Sequence, residues 1–208
     1  MKIIANHKHV PFGPYVAKMN PDPDFCRRVL EEGKTLTKKH TKYLAGNIDQ
    51  EYIYDLKKHP WLEEGFKICV DTWIEGFKSF SGDVDFNPEY KLEPLWINFQ
   101  KAREYNPIHT HPNCNLSFIL FLEVPKEMME EPHTTKGSPP GYTGFMYGED
   151  AHGFITHRIV KPEKNVLYMF PSNLRHYVAH FNSNVTRVSV SGNIIFDISV
   201  LKVQRVKK

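Results

Sequence analysis

Residues 95–122 read LWINFQKAREYNPIHTHPNCNLSFILFL, two apolar runs flanking a pair of histidines one residue apart. Leu95-Trp96-Ile97-Asn98-Phe99 and Leu116–Leu122 are short and rich in aromatic and branched side chains, which predicts strands. Toward the C-terminus the pattern recurs in Phe154–Val160, Val166–Phe170, Tyr177–Phe181 and Arg187–Leu201, separated by Pro, Gly, Asn and Asp clusters that read as turns. Toward the N-terminus the period changes. Between Asp22 and about Phe80 the pattern is helical, with Asp22 or Asp24 as a cap for a helix through Phe25, Val29 and Leu30. A second helix is expected from about Trp61 to Phe80, because Phe66, Val70, Trp73, Ile74 and Phe77 recur at three- and four-residue steps. Such an aromatic stripe is a face that packs onto a sheet. Many strands after a helical preface predict a barrel or sandwich buttressed by helices on one face. The segment Pro125–Gly153 is rich in Gly and Pro and reads as one long loop, of the kind that is functional or unstructured.

Composition narrows the class. The 208 residues fit one domain, and 40% hydrophobic residues are enough for a core. No stretch approaches the roughly 20 apolar residues of a membrane span. The N-terminal MKIIANHKHV lacks the apolar run of a signal peptide, so a cytoplasmic protein is expected. The net charge of +3 is too mild to leave a nucleic-acid footprint, and the basic KVQRVKK tail reads as solvated. Three cysteines, Cys26, Cys69 and Cys114, suggest reduced thiols rather than a disulfide framework or a Cys-x-x-Cys site.

His109 and His111 alternate on what should be extended backbone, so both rings can approach one ion. Imidazole suits iron, zinc, copper and nickel alike, so the pair alone does not choose the metal. His176 follows 65 residues later at the head of a predicted strand, and Arg187 lies 11 residues beyond it among Val185, Val188 and Val190. A buried guanidinium needs an anionic partner, and a ligand carboxylate held through two parallel N–H bonds would serve. The other histidines (His7, His9, His40, His59, His133, His152, His157 and His180) have no comparable context; His157 is the first alternative ligand, and His180 reads as packing.

Two stretches, WINFQKAREYNPIHTHPNCNLSFILFLEVP (96–125) and VLYMFPSNLRHYVAHFNSNVTRVSVSGNIIF (166–196), resemble the iron(II)- and 2-oxoglutarate-dependent oxygenases. The resemblance is to a branch of small hydroxylases, often from phage or marine bacteria, related to prolyl hydroxylase. It covers roughly the last 110 residues and only loosely the helical half. It implies a mainly β fold, a double-stranded β-helix (a jelly-roll, cupin-like barrel) over about residues 91–203, with residues 1–90 as helical support in a single domain 1–208. It implies iron(II) on His109, His111 and His176, with 2-oxoglutarate and dioxygen as cosubstrates. Arg187 would receive the far carboxylate of 2-oxoglutarate with help from Ser189, and Tyr105, Asn98 and Gln100 would line its pocket. The implied reaction is hydroxylation with release of succinate and carbon dioxide, on a small molecule or a protein side chain, with a homodimer left open. His111 departs from the family pattern, which places an acidic residue there. This removes one negative charge from the ligand set, although the branch itself carries His-x-His. The long segment 126–153 would then form a substrate lid offering Met128, Met129, Tyr142, Phe145, Met146 and Tyr147. Two other readings stay open: a three-histidine cupin-like dioxygenase or isomerase without 2-oxoglutarate, and a non-enzymatic binding module.

Overall fold

Alternation along one strand organises the molecule. In β10 (Arg187–Asp197), Val188, Val190 and Ile194 point to one side and Arg187, Ser189, Ser191 and Asn193 to the other. The computed structural model describes residues 13–82, 84–133, 137–149 and 155–197. Within them the elements run β1 (Ala17–Met19), α1 (Pro23–Gly33), β2 (Glu51–Ile53), α2 (Pro60–Phe80), β3 (Glu89–Gln100), β4 (Asn106–His109), β5 (Leu116–Glu123), α3 (Lys126–Met129), β6 (Thr143–Met146), β7 (His157–Val160), β8 (Leu167–Pro171), β9 (Arg175–Val178) and β10. The strands form a six-stranded sheet, β1-β8-β5-β10-β3-β2, and a four-stranded sheet, β4-β9-β6-β7, with antiparallel neighbours throughout. From β3 onward the chain passes repeatedly between the two sheets, which is the double-stranded β-helix.

The apolar side of β10 joins Leu95 and Ile97 of β3 and Phe118 and Leu120 of β5 under the helices. Helix α1 starts where Asp22 accepts hydrogen bonds from the N–H groups of Asp24 and Phe25 at 2.9 and 3.0 Å, with Pro23 in the first turn. Helix α2 buries Phe66, Val70, Trp73 and Ile74 of the expected stripe together with Leu62 and Cys69, while Phe77 is half-buried. The ring of Phe66 stacks on Phe118 at 4.7 Å. The three cysteines are free, Cys26 and Cys69 within this core. Among the described residues no helix is long and apolar enough to cross a membrane.

Several expectations need correction. The stretch between the helices is not helical throughout: it holds a 3-10 turn at Thr41–Tyr43 and the short strand β2. Strand β9 spans Arg175–Val178, with Ala179 N–H still bonding Tyr142 O at 2.9 Å, so the expected strand Tyr177–Phe181 is displaced toward the N-terminus. Strand β10 is described to Asp197, and its expected continuation to Leu201, like the KVQRVKK tail and the start of the run at Phe154, lies outside the described residues. The segment 126–153 is not one loop. It contains α3 and β6, and β6 lies between β9 and β7 in the small sheet. Met128 and Phe145, expected on a lid, are 0% and 4% exposed and serve the interior. Residues 134–136 and 150–154 lie outside the described residues.

Candidate active site

The polar side of β10 faces the space between the two sheets. Each of its residues pairs with a lumen residue on a neighbour: Arg187 with Gln100, Ser189 with Asn98 and Phe121, Ser191 with Trp96 and Ile119, Asn193 with Ser117. At the Asn193 end stand three histidines. His109 closes β4 and pairs directly with His176 of β9 in register. His111 follows β4, its N–H donating to Ser172 O at 2.9 Å and its ring stacked on Trp96. The ring centroids of His109 and His176 are 4.2 Å apart, and that of His111 lies 5.1 Å from the first and 5.0 Å from the second.

Each ring is oriented through its Nδ1. His109 Nδ1 donates to Pro107 O at 2.7 Å, His176 Nδ1 to Leu174 O at 2.8 Å, and His111 Nδ1 to Asn193 Oδ1 at 2.7 Å. Carbonyl oxygens only accept, so these bonds place the proton on Nδ1 and leave Nε2 with a bare lone pair. The outer-shell acceptors thereby do what such partners do at metal sites, fixing tautomer and ring direction. The ligand nitrogens of the three lie within 4.8 Å of one another, and His109 Nε2 and His111 Nε2 are 3.2 Å apart. Imidazole–zinc bonds of about 2.1 Å meeting at right angles would hold two donors about 3 Å apart. Two lone pairs at that separation repel unless a cation lies between them. The site therefore fits a metal.

Burial keeps these histidines neutral, as ligands must be. It pulls His176 down to about 3, with the neighbouring His109 adding to the effect, and His111 down to about 4 against the opposing bond to Asn193. His109 is lowered by the same cause.

At the other end of the lumen Arg187 is 1% exposed. Its Nη1 donates to Gln100 Oε1 at 3.1 Å and to Ser189 Oγ at 3.3 Å, so the guanidinium turns up the strand toward the histidines. It lies over the Phe121 ring at 4.9 Å, a cation–π contact. Among the described residues its Nε and Nη2 have no partner, and neither does Asn98 Oδ1. Burial pulls the guanidinium down to about 9, which leaves it charged at neutral pH. A buried cation with two unused donors is costly until an anion arrives. A carboxylate is the shape that fits.

Asn98 donates to Ser189 O at 3.4 Å and lies within 3.5 Å of Ser189 Oγ, so Asn98, Ser189, Gln100 and Arg187 form one polar group. Tyr105 does not join it. It is 42% exposed, held by a bridge to Asn47 at the surface. His157 is exposed on the edge strand β7 and meets Tyr177 OH at 2.8 Å, and His180 is exposed beyond the end of β9, so neither approaches the triad. His40, grouped above with the histidines lacking context, lies on the wall of the triad's cavity beside Trp96. That cavity is about 440 Å³ and is walled by the triad, Trp96, Asn193 and Phe170 among others. Asn193 and Ser117, which hold His111 through a second bond of 2.9 Å, escaped the sequence reading. The signal for them was present: RVSVSGN over 187–193 carries a polar residue at every second position of a buried strand.

Residues 94–193 match a protein-family model described as "Putative 2OG-Fe(II) oxygenase", a span that contains all three histidines and Arg187. Over this stretch, just under half of the chain, the protein is similar to the 2OG-Fe(II) oxygenases. That family uses iron(II), 2-oxoglutarate and dioxygen, and the site here offers a convergent imidazole set and a buried guanidinium. Solved structures share the fold. The viral collagen prolyl hydroxylase of Paramecium bursaria Chlorella virus-1, in complex with 2-oxoglutarate, is 15% identical over 89% of this chain and 98% of its own, at a TM-score of 0.56. HygX from Streptomyces hygroscopicus, with nickel and 2-oxoglutarate bound, is 10% identical over 91% and 85%, at 0.55. A Trichoplax adhaerens prolyl hydroxylase in complex with a hypoxia-inducible-factor peptide is 11% identical over 88% and 84%, at 0.55. No curated protein matches the chain by sequence.

Proposed function

We propose that this protein holds iron(II) on the Nε2 atoms of His109, His111 and His176 and 2-oxoglutarate on Arg187, and hydroxylates a small molecule or a protein side chain in the cavity between its sheets. The observation that carries this reading is the pairing of two unfilled demands in one lumen. Three imidazoles have their Nδ1 atoms committed and their Nε2 atoms converging. A buried guanidinium with two unpartnered donors stands on the same side of β10, six residues before Asn193. A cupin-like dioxygenase without 2-oxoglutarate would account for the first and leave the second unexplained.

Each residue has a task. Arg187 binds the far carboxylate of 2-oxoglutarate, with Ser189 fixing the guanidinium and Asn98 fixing Ser189. Asn193 and Ser117 keep the His111 ring from rotating. Phe121, Phe145 and Phe170 pack the lumen wall and exclude water. Iron(II), when bound, would supply the oxidising chemistry with dioxygen as the oxidant, one oxygen atom going to the product and the other to succinate as 2-oxoglutarate loses carbon dioxide. The helices and barrel act together as a single oxygenase domain, in the cytoplasm of the producing or host cell.

The test is the affinity for 2-oxoglutarate with iron(II) present and oxygen excluded. Arg187→Ala is expected to weaken it by about 100-fold or more, since two hydrogen bonds to a charged group are lost at about 1.5–3 kcal/mol each. Iron content should be unchanged. Equal 2-oxoglutarate affinity in parent and variant contradicts the assignment.

A further inference from the structure

We propose that Glu51, with Asn106, forms the substrate-recognition subsite of this cavity, and that the substrate presents to it a positively charged nitrogen, an amine or a guanidine. The inference rests on the oxygenase reading in calling that ligand a substrate; the ligand's chemistry follows from the wall itself.

Glu51 opens β2, at the outer edge of the large sheet, and pairs in register with Asn98. Its side chain therefore shares the lumen side of the sheet with Asn98 and Ser189. It is 1% exposed, and it lines the cavity that the three histidines line. Among the described residues its Oε2 has no hydrogen-bond partner, and neither has Oδ1 of Asn106, which lines the same cavity from β4, three residues before His109. The two side chains border one small space. A Cβ built on Gly46 would collide with Asn106 Oδ1 and stand 3.5 Å from Glu51 Oε1. Gly46 thus leaves a notch bordered by two oxygens from opposite sheets.

The charge of this wall selects its ligand. Among the described residues Glu51 is the one carboxylate that lines the cavity, and no lysine or arginine lines it. Burial, with Glu104 nearby, pushes the Glu51 carboxyl up to about 8, as expected of an acid with no cation to answer it. A protonated nitrogen brings both the charge and the N–H donors that these oxygens lack. The cosubstrate does not fit here. Glu51 and Asn106 turn bare oxygens to the cavity, whereas Arg187 offers the cosubstrate's carboxylates unused donors elsewhere in the lumen.

The competing roles for Glu51 are a protonated acid that supports 2-oxoglutarate, and a purely structural residue. Saturation-transfer NMR, which reads millimolar binding, separates them. Butylamine and butylguanidine are titrated into the intact protein, metal-free and again with iron(II) and 2-oxoglutarate under argon, with butanol and butyrate as controls. The proposal expects at least one cationic probe to bind the parent, to bind at least 10-fold more weakly to Glu51→Gln, and to be blocked in Gly46→Ala, while the neutral and anionic probes do not bind. 2-Oxoglutarate affinity should be the same in Glu51→Gln as in the parent. Equal cation binding in parent and Glu51→Gln, no cation binding in the parent, or a loss of 2-oxoglutarate affinity without a loss of cation binding overturns it. A melting temperature for Glu51→Gln at or above the parent's shows that the variant folds. The metal-free arm does not depend on iron or 2-oxoglutarate, so a failure of the oxygenase reading, seen in Arg187→Ala, leaves this result separately readable.

Discussion

The two sides of the large sheet are both buried and yet built on opposite terms. Under the helices, Leu95, Ile97, Phe118, Val188, Val190 and Ile194 fill space with carbon, and Trp73 Nε1 is the one unpartnered polar atom identified in that layer. Across the same backbone, the lumen and its walls hold Glu51, Asn98, Asn106, Thr143 and Arg187, each with a buried polar atom that meets no partner. Native proteins rarely leave such groups unanswered. Their concentration on one face separates the part of the chain that holds the fold from the part that awaits ligands. Stability is made on the helical side, and the lumen spends some of it.

Variants on the two sides should therefore fail differently. Phe66→Ala, which removes a fully buried ring stacked on Phe118, should cost about 3–5 kcal/mol in chemical denaturation. The folded fraction should still take up iron at the parent stoichiometry. Arg187→Ala should show the inverse: intact stability, with 2-oxoglutarate binding lost as above. Asn193→Ala should weaken iron binding by about 10–100-fold, the usual cost of losing a ligand's outer-shell partner, with little change in 2-oxoglutarate affinity beyond that. Competition against a calibrated chelator would measure it.

The smallest expected effect is on pH dependence. His111 and His176 titrate near 4 and 3 when folded, against 6.5 unfolded. The unfolded chain binds more protons between those values, so their contribution is complete above about pH 6.5 and is lost as pH falls. Glu51 acts in the opposite sense. Its carboxyl is raised from 4.5 to about 8, so the folded metal-free protein binds more protons there and loses stability as pH rises through that window. The two contributions oppose each other between pH 5 and 7. Denaturation midpoints at those two values should fall more steeply toward pH 5 in Glu51→Gln than in the parent.

Much of this division was legible in the sequence. Period-two spacing located His109 and His111 on one side of an extended segment, and the apolar stripe of α2 named its buried face. Arg187 announced itself as a charge among valines. His176 needed the family resemblance, because only the pairing of β4 with β9 brings it beside His109. Three features stayed hidden for identifiable reasons. Strand β6 is four residues long within a Gly- and Pro-rich stretch, and Gly144 is required there because a Cβ would collide with the Tyr177 ring. Strand β2 has three residues and is held mainly by β3, so its pattern is too short to read, and Glu51 was missed with it. Asn193 keeps the alternation of β10, but its task shows only in the fold, where its side chain meets the ring of His111, 82 residues away in the chain.

The central claim is that three neutral histidines, His111 in place of a carboxylate, hold one iron(II). Iron content by elemental analysis, after anaerobic loading and desalting, tests it on the parent and on His109→Ala, His111→Ala and His176→Ala, each checked for folding by circular dichroism. The account predicts one iron per parent chain and a loss of retained iron in all three folded variants. A folded His111→Ala variant that retains iron at the parent's level and affinity, or a folded parent that takes up none, would contradict it.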